Sequence, residues 1–345
     1  MMIYGASGYT GRMIVDACSA LGLRPILAGR RDAPLRALAD THGLDARVFA
    51  ADDARQARRA LAEIDLLVNC AGPFHRTAPH LIAAAIDAGT HYLDISAELD
   101  SYRLAESLDT AARRAGVMLM PGGGGSTALL GSLVARVCEQ VRHPARIAVA
   151  LQVAGPMSRG SAISAAENLS PHDLVRRHGV LQARHDAAPR RFDFGALQAD
   201  GVPMTLPDVI TLWHDHAVPD IETYVHVVGN AFASEGLDTL PPGPTDAERR
   251  AHPYHAAAVV TDHDGASASG TLATANGYTF TPLATADAAR RILAGNARPG
   301  FQTPTGLFGP AFAQGIAGTR ITVHPSHVPE SPGGPTATAC GRSPP

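Results

Sequence analysis

Residues Ile3 to Arg12 read IYGASGYTGR and set glycines at Gly5, Gly8 and Gly11. Between a strand and a helix this spacing does chemistry with the backbone. Gly5 permits the tight turn, Gly8 lets the main chain approach a pyrophosphate, and Gly11 lets the helix lie close against the strand. The unpaired N–H groups of the first helical turn face phosphates, and Ser7, Tyr9 and Thr10 add hydroxyl donors. The end of the second strand then selects the dinucleotide. An NAD site places an acid there for the ribose 2′-hydroxyl, whereas this chain reads LAGRRD, with Arg30 and Arg31 suited to a 2′-phosphate. The expected cofactor is NADP(H). Asp32 lies beyond the arginines and reads as the cap of the next helix.

Three further stretches carry polar chemistry. In IDLLVNCAGPF, the residues Asn69, Cys70, Ala71, Gly72, Pro73 and Phe74 end the fourth strand and would border the nicotinamide half, or else form a plain strand-ending turn at Gly72-Pro73. HYLDISAE brings Tyr92, Asp94 and Glu98 to the same edge as the nearest groups for proton transfer, although an Asp after a strand is as often a helix cap. The run Gly122 to Gly125 precedes Ser126 and Thr127 at a helix start. It reads either as an anion cradle, with Gly123, Gly124 and Ser126 holding a substrate carboxylate or phosphate, or as a hinge between domains. Arg159 in SRGS is a further anion-binding candidate, set against plain surface charge.

Histidine is plentiful, and LWHDHAVPD places His214, Asp215 and His216 together, with His226, His252 and His255 nearby in sequence. On a strand His214 and His216 would share a face, but no third ligand stands at a recognisable spacing, so no metal site is expected.

The elements that must position these residues follow from periodicity. Short apolar runs at Met2–Tyr4, Arg24–Ala28, Arg47–Ala50, Asp65–Asn69, His91–Asp94 and Val117–Met120 alternate with helical stretches at 13–20, 33–42, 54–62, 79–88 and 101–115. This is the pattern of an α/β, Rossmann-type doubly wound parallel sheet. After a helix near 126–140 the chain turns to strand-like runs rich in Thr, Val, His and Pro, which predicts a second α+β domain with a largely antiparallel sheet. TADAARRILAGN reads as a late helix. The expected organisation is a dinucleotide domain over 1–125, a substrate and dimerisation domain over 126–300, a C-terminal helical region over 301–323, and a disordered tail over 324–345 rich in Pro, Ser, Thr and Gly.

Composition excludes several classes. A formal net charge of −3 without a basic, aromatic-laced cluster offers nothing to nucleic acid. The four cysteines form no C-x-x-C pair, which fits free thiols in a reducing compartment. No apolar run approaches membrane-spanning length. A cytoplasmic protein with a small-molecule or carrier-bound substrate, and a homodimer through the second domain, is the resulting expectation.

Taken in order, GASGYTGR, LAGRRDAPLRALA, VNCAGPF and AGTHYLDISAE resemble successive motifs of the saccharopine dehydrogenase-like family of NADP-binding oxidoreductases, which includes stand-alone, trans-acting enoyl reductases. SRGSAISAAENL, FDFG and NARPGFQTPTGLFG resemble blocks of its second domain. The resemblance implies that Gly5, Ser7, Gly8, Tyr9, Thr10 and Gly11 hold the pyrophosphate, Arg30 and Arg31 the 2′-phosphate, Asp52 the adenine edge, and Cys70 to Phe74 the nicotinamide side. It also implies that the TPTGLFG helix packs back near the cofactor domain. Where the family commonly has an acid-containing block after the sixth strand, this chain has only Gly122 to Gly125, Ser126 and Thr127, and the familiar Gly-Glu after the fifth strand is Ala97-Glu98. Both departures fall at the expected substrate edge. They imply a substrate unlike those of better-known members. The expected activity is hydride transfer from NADPH to a C=N or a polarised C=C bond, with a non-catalytic NADP-binding module as the alternative.

Overall fold

The computed structural model describes residues 1–167, 173–185, 188–229 and 236–327. The N-terminal part runs β1 (Met2–Tyr4), α1 (Tyr9–Ala20), β2 (Ile26–Gly29), α2 (Asp32–His42), β3 (Ala46–Val48), α3 (Ala54–Leu61), β4 (Leu66–Asn69), α4 (Phe74–Ala88), β5 (His91–Asp94), α5 (Leu99–Ser107), α6 (Asp109–Ala115) and β6 (Met118–Met120). β4 and β6 are wholly buried and read as continuous apolar runs, as strands covered on both faces must.

The second part runs α7 (Ser126–Cys138), β7 (Pro144–Ala154), α8 (Arg159–Glu167), β8 (Leu174–Arg177), β9 (Val180–Ala183), β10 (Arg190–Asp193), β11 (Gln198–Pro203), α9 (Asp208–His216), β12 (Asp220–Val228), α10 (Asp246–Ala251), β13 (Tyr254–Asp262), β14 (Ser267–Thr274), α11 (Gly277–Leu293), β15 (Gly300–Phe301), α12 (Pro304–Phe308) and β16 (Arg320–His327).

One sheet has the order β15-β6-β5-β4-β1-β2-β3, and every neighbouring pair in it is parallel. The order reverses between β1 and β4, which opens a crevice at their carboxyl ends. The seventh strand, β15, comes from late in the chain. The second sheet follows β10-β11-β12-β7-β13-β14-β16. It is largely antiparallel, as expected, and is made mixed by one pair, β12 and β7, which run in parallel from Asp220↔Arg146 to Val228↔Ala154. The buried helix α7 packs against β13 and β14 on one side and against α9 and α12 on others, which is why its apolar residues show no single stripe.

The return to the first domain differs from the expected division at residue 301. α11 already packs along α1, and β15 joins the parallel sheet at β6. α12, expected near the cofactor domain, follows directly on β15 at the edge of that sheet and packs on α7. Two helix boundaries also differ. α4 begins at Phe74 instead of Pro79, and the expected helix over 101–115 is two helices meeting at Leu108. Of the expected tail, residues 324–327 complete β16, and the remainder lies outside the described residues. Among the described residues no helix is long and apolar enough to cross a membrane.

Candidate functional site

The site starts at the turn between β1 and α1. Gly5 adopts φ +80°, and a Cβ there would lie 2.8 Å from the Ala71 amide nitrogen, so the turn and the end of β4 are in backbone contact. A Cβ on Gly11 would meet the Gly5 carbonyl oxygen at 2.3 Å, which only glycine permits. Gly8 is the N-cap of α1 and supplies no side chain, and the first helical amide bonded back to the turn is that of Arg12, to the Gly8 oxygen at 3.0 Å. The amides of Tyr9, Thr10 and Gly11 reach no carbonyl among the described residues. A cradle that excludes side chains, at a helix start with unspent donors, fits a pyrophosphate.

At the end of β2, Arg30 and Arg31 are exposed, and their guanidinium groups have no hydrogen-bond or ion-pair partner among the described residues. Asp32 does not cap α2. It is the first helical residue, Arg31 is the N-cap, and the Asp32 carboxylate pairs with Arg36 at 2.5 Å. Asp32 is thus engaged within its own helix and leaves both arginines open toward the ribose end. Asp52 is exposed beside this edge, while its neighbour Asp53 caps α3 by accepting from the Gln56 amide at 3.0 Å.

At the end of β4, buried Asn69 organises the next turn. Its Oδ1 accepts from the Ala71 amide at 3.0 Å, and its Nδ2 donates to Thr77 Oγ1 and to the Tyr92 hydroxyl, both at 3.1 Å. Burial pushes the Cys70 thiol well above its ordinary range, so it is no thiolate. Gly72 is exposed, and its Cβ position lies 2.9 Å from Ser164 Oγ on α8, which brings the second domain against this turn. Pro73 caps α4 without a side-chain acceptor. Glu98 performs that task from just beyond the end of the neighbouring strand β5, accepting from the amides of Phe74 at 2.8 Å and His75 at 2.7 Å.

The three groups singled out for proton transfer are thus committed elsewhere. Tyr92 is fully buried, accepts from Asn69 and donates to Asp94 Oδ2 at 2.9 Å. Asp94 Oδ1 accepts from the amides of Ser96 at 2.9 Å and Gly122 at 2.7 Å. Every one of these contacts requires an acceptor, so Asp94 is held as a carboxylate even though burial raises its pKa to about 6. Glu98 spends both oxygens on α4.

The glycine run is likewise packing. The Gly122 and Gly123 amides bond to Asp94, and the Cβ positions of Gly123 and Gly124 are filled by Leu93 Cδ1 and Thr285 Oγ1, each 2.0 Å away. This corrects the anion-cradle reading of Gly123 and Gly124: the run lets β5 and α11 close over it. Ser126 opens α7, half-buried. Arg159 starts α8, and its guanidinium donates to the Leu240 carbonyl, from Nε at 2.7 Å and also from Nη2.

His214 and His216 lie on α9, so they do not share a strand face, and His214 packs edge-on against Phe301. Among the described residues no group of His, Cys, Asp and Glu is placed to hold a metal.

Sequence reasoning missed His75, Tyr278 and Arg249. His75 stands at the start of α4 with Nδ1 3.5 Å from Glu98 and Nε2 3.5 Å from Glu167 of α8, so it joins the two domains. The phenol of Tyr278 accepts from the Ser158 amide at 2.8 Å, and Arg249 reaches the Tyr9 hydroxyl at 2.7 Å. Their sequence separations hide all of these contacts, except that PFH directly continues the β4 motif.

A doubly wound parallel sheet with such a turn at its switch point defines a dinucleotide-binding domain. Residues 1–120 match the family model of the saccharopine dehydrogenase NADP-binding domain, and the cofactor that this domain takes is NADP(H). A probable mitochondrial saccharopine dehydrogenase-like oxidoreductase of Arabidopsis thaliana is 32% identical over 114 residues, and the match spans 28% of this chain and 25% of that protein. Saccharopine dehydrogenase (L-Glu forming) from Saccharomyces cerevisiae, in its apo form, shares the fold with a TM-score of 0.60 at 12% identity, over 94% of this chain and 99% of that one. Homospermidine synthase from Legionella pneumophila, in complex with NAD, does so with a TM-score of 0.63 at 12% identity, over 99% and 94%.

Proposed function

We propose that the chain is an NADPH-dependent reductase acting on a polarised C=N or C=C bond of a small-molecule or carrier-bound substrate, held between the β4–α4 turn and α8. One arrangement carries this reading: the turn where the nicotinamide side falls is faced by the second domain, with Ser164 at Gly72 and Glu167 at His75. Bound NADPH supplies the hydride.

The chain's own residues do the rest. The first amides of α1 and the Arg30 and Arg31 side chains hold the phosphates. Asn69 and Glu98 fix the turn on which the nicotinamide side rests. The approach of α8 excludes water. Proton supply falls to His75, a titratable side chain about one-third exposed that immediately follows this turn. Because Arg159 is bound to the Leu240 carbonyl, the carboxylate anchor that an amino-acid imine would use is engaged, which weighs toward the enoyl class.

A panel of cyclic imines, keto acid–amine pairs and activated enoyl thioesters, with NADPH consumption followed by nicotinamide absorbance, tests the proposal. Consumption with one class is the expected result. Tight NADPH binding without turnover on any member would favour a non-catalytic NADP-binding module, a reading supported by the structural commitments of Tyr92, Asp94 and Glu98.

A further inference from the structure

We infer that Arg249 is a cofactor-positioning residue, and that through Tyr9 it couples the 243–252 segment of the second domain to occupancy of the dinucleotide turn. The inference rests on the reading of that turn as an NADP(H) site and goes beyond it, because it makes binding depend on a residue some 240 positions away.

Tyr9 is the first residue of α1, beside the unspent amides. Its hydroxyl donates to the Pro244 carbonyl at 2.5 Å and accepts from Arg249 Nη1 at 2.7 Å. The same Nη1 reaches the Pro244 carbonyl at 3.0 Å. The Tyr9 ring is gripped on both sides. A Cβ on Gly243 would lie 2.6 Å from its ring carbons, so the segment lies flat on it, and Tyr278 stands edge-on with ring centres 5.5 Å apart. A tyrosine placed to offer its hydroxyl to a phosphate therefore has that hydroxyl drawn into the second domain.

The Arg249 guanidinium is incompletely paired on its own helix. Its Nη2 pairs with Asp246 Oδ1 at 3.1 Å, but Asp246 also takes Arg250 on its other oxygen, so two guanidinium groups share one carboxylate. The Glu248 carboxylate, on the same helix, is spent on Thr245 in a capping box, accepting from its amide at 2.7 Å and its hydroxyl at 2.8 Å. Arg249 Nε is buried with no acceptor among the described residues, and only 16% of the side chain is exposed. The two carboxylates balance the two arginines in formal charge, but Arg249 keeps unused donor capacity one phenol away from a helix N-terminus that fits phosphates. An anion seated there stabilises the guanidinium, and the guanidinium holds Tyr9 and α1 in place for the anion.

The test is NADPH affinity by nicotinamide fluorescence at low and high salt, for the full chain and for Arg249→Met, Arg249→Lys and Tyr9→Phe, with hydrogen exchange of residues 243–252 with and without NADPH. Arg249→Met is expected to weaken binding about tenfold and to flatten its salt dependence, whereas Arg249→Lys retains most of both. NADPH is expected to slow exchange in 243–252 of the natural chain and to do so much less in Tyr9→Phe. Unchanged affinity and salt slope in Arg249→Met, or exchange in 243–252 indifferent to NADPH while the natural chain binds it, would overturn the inference alone. Failure of the natural chain itself to bind NADPH would overturn both the inference and the reading beneath it.

Discussion

Gly11 and Gly5 meet so closely that a single added methyl group separates a working cradle from a displaced helix. Gly11→Ala places a carbon 2.3 Å from the Gly5 oxygen and 2.9 Å from that of Ala6, so α1 must shift. The expected cost is about 1–3 kcal/mol in urea unfolding together with loss of NADPH fluorescence enhancement. The proton-transfer residues separate by the same kind of reasoning. Tyr92→Phe removes one buried hydroxyl, costs about 1 kcal/mol and leaves turnover within a few-fold, whereas His75→Asn lowers turnover roughly a hundredfold with NADPH affinity kept. A Tyr92→Phe enzyme that binds NADPH and does not turn over would reverse that assignment. At this scale the sequence was informative for the turn at Gly5 and the close packing at Gly11, which follow from having no side chain. It was not for Tyr92, Asp94 and Glu98, because residue type announces proton chemistry while only the fold reveals which lone pairs are spent.

The start of α4 is an event between elements. Pro79 looks like a first-turn proline, yet the helix begins at Phe74, because its first amides are satisfied by Glu98, 24 residues further along the chain. Removing that carboxylate in Glu98→Ala is expected to cost about 1–2 kcal/mol and to weaken NADPH binding, as the Cys70–Phe74 turn loses its support. Chemical denaturation and NADPH titration of the same variant check the two effects. Asp109 repeats the pattern: it begins α6 and accepts from the Phe301 amide at 2.8 Å, pinning β15 to the sheet. Local periodicity located nearly every strand and helix of the first domain, since each buries its own apolar face. Strand β15 and the parallel pairing of β12 with β7 depend on partners distant in sequence and leave no local trace.

On the scale of the whole molecule, two domains share a chain that leaves the first at α7 and comes back through α11 and β15. Stability then includes buried polar groups far from the cofactor turn. Asp208 is fully buried, neither oxygen has a partner on another residue among the described residues, and burial raises its pKa to about 7. Its unfolded counterpart titrates near 4, so the native state holds a proton that the unfolded chain releases between about pH 4 and pH 7. The contribution is present in full below that window and lost above it. Asp208→Asn is accordingly expected to make stability fall less steeply with pH, by about 2 kcal/mol between pH 5 and pH 8 in urea unfolding. Equal slopes in the two proteins would show that Asp208 is ionised or solvated in the native state.

Cofactor choice rests on the dinucleotide turn and on the two arginines beside it. Titration of the purified chain with NADPH and with NADH, following nicotinamide fluorescence, and repetition with Arg30→Ala, tests it most directly. The predicted result is a preference for NADPH in the natural chain that falls about tenfold or more in Arg30→Ala, with NADH affinity little changed. Equal affinity for the two dinucleotides in both proteins, or no binding of either, would contradict it.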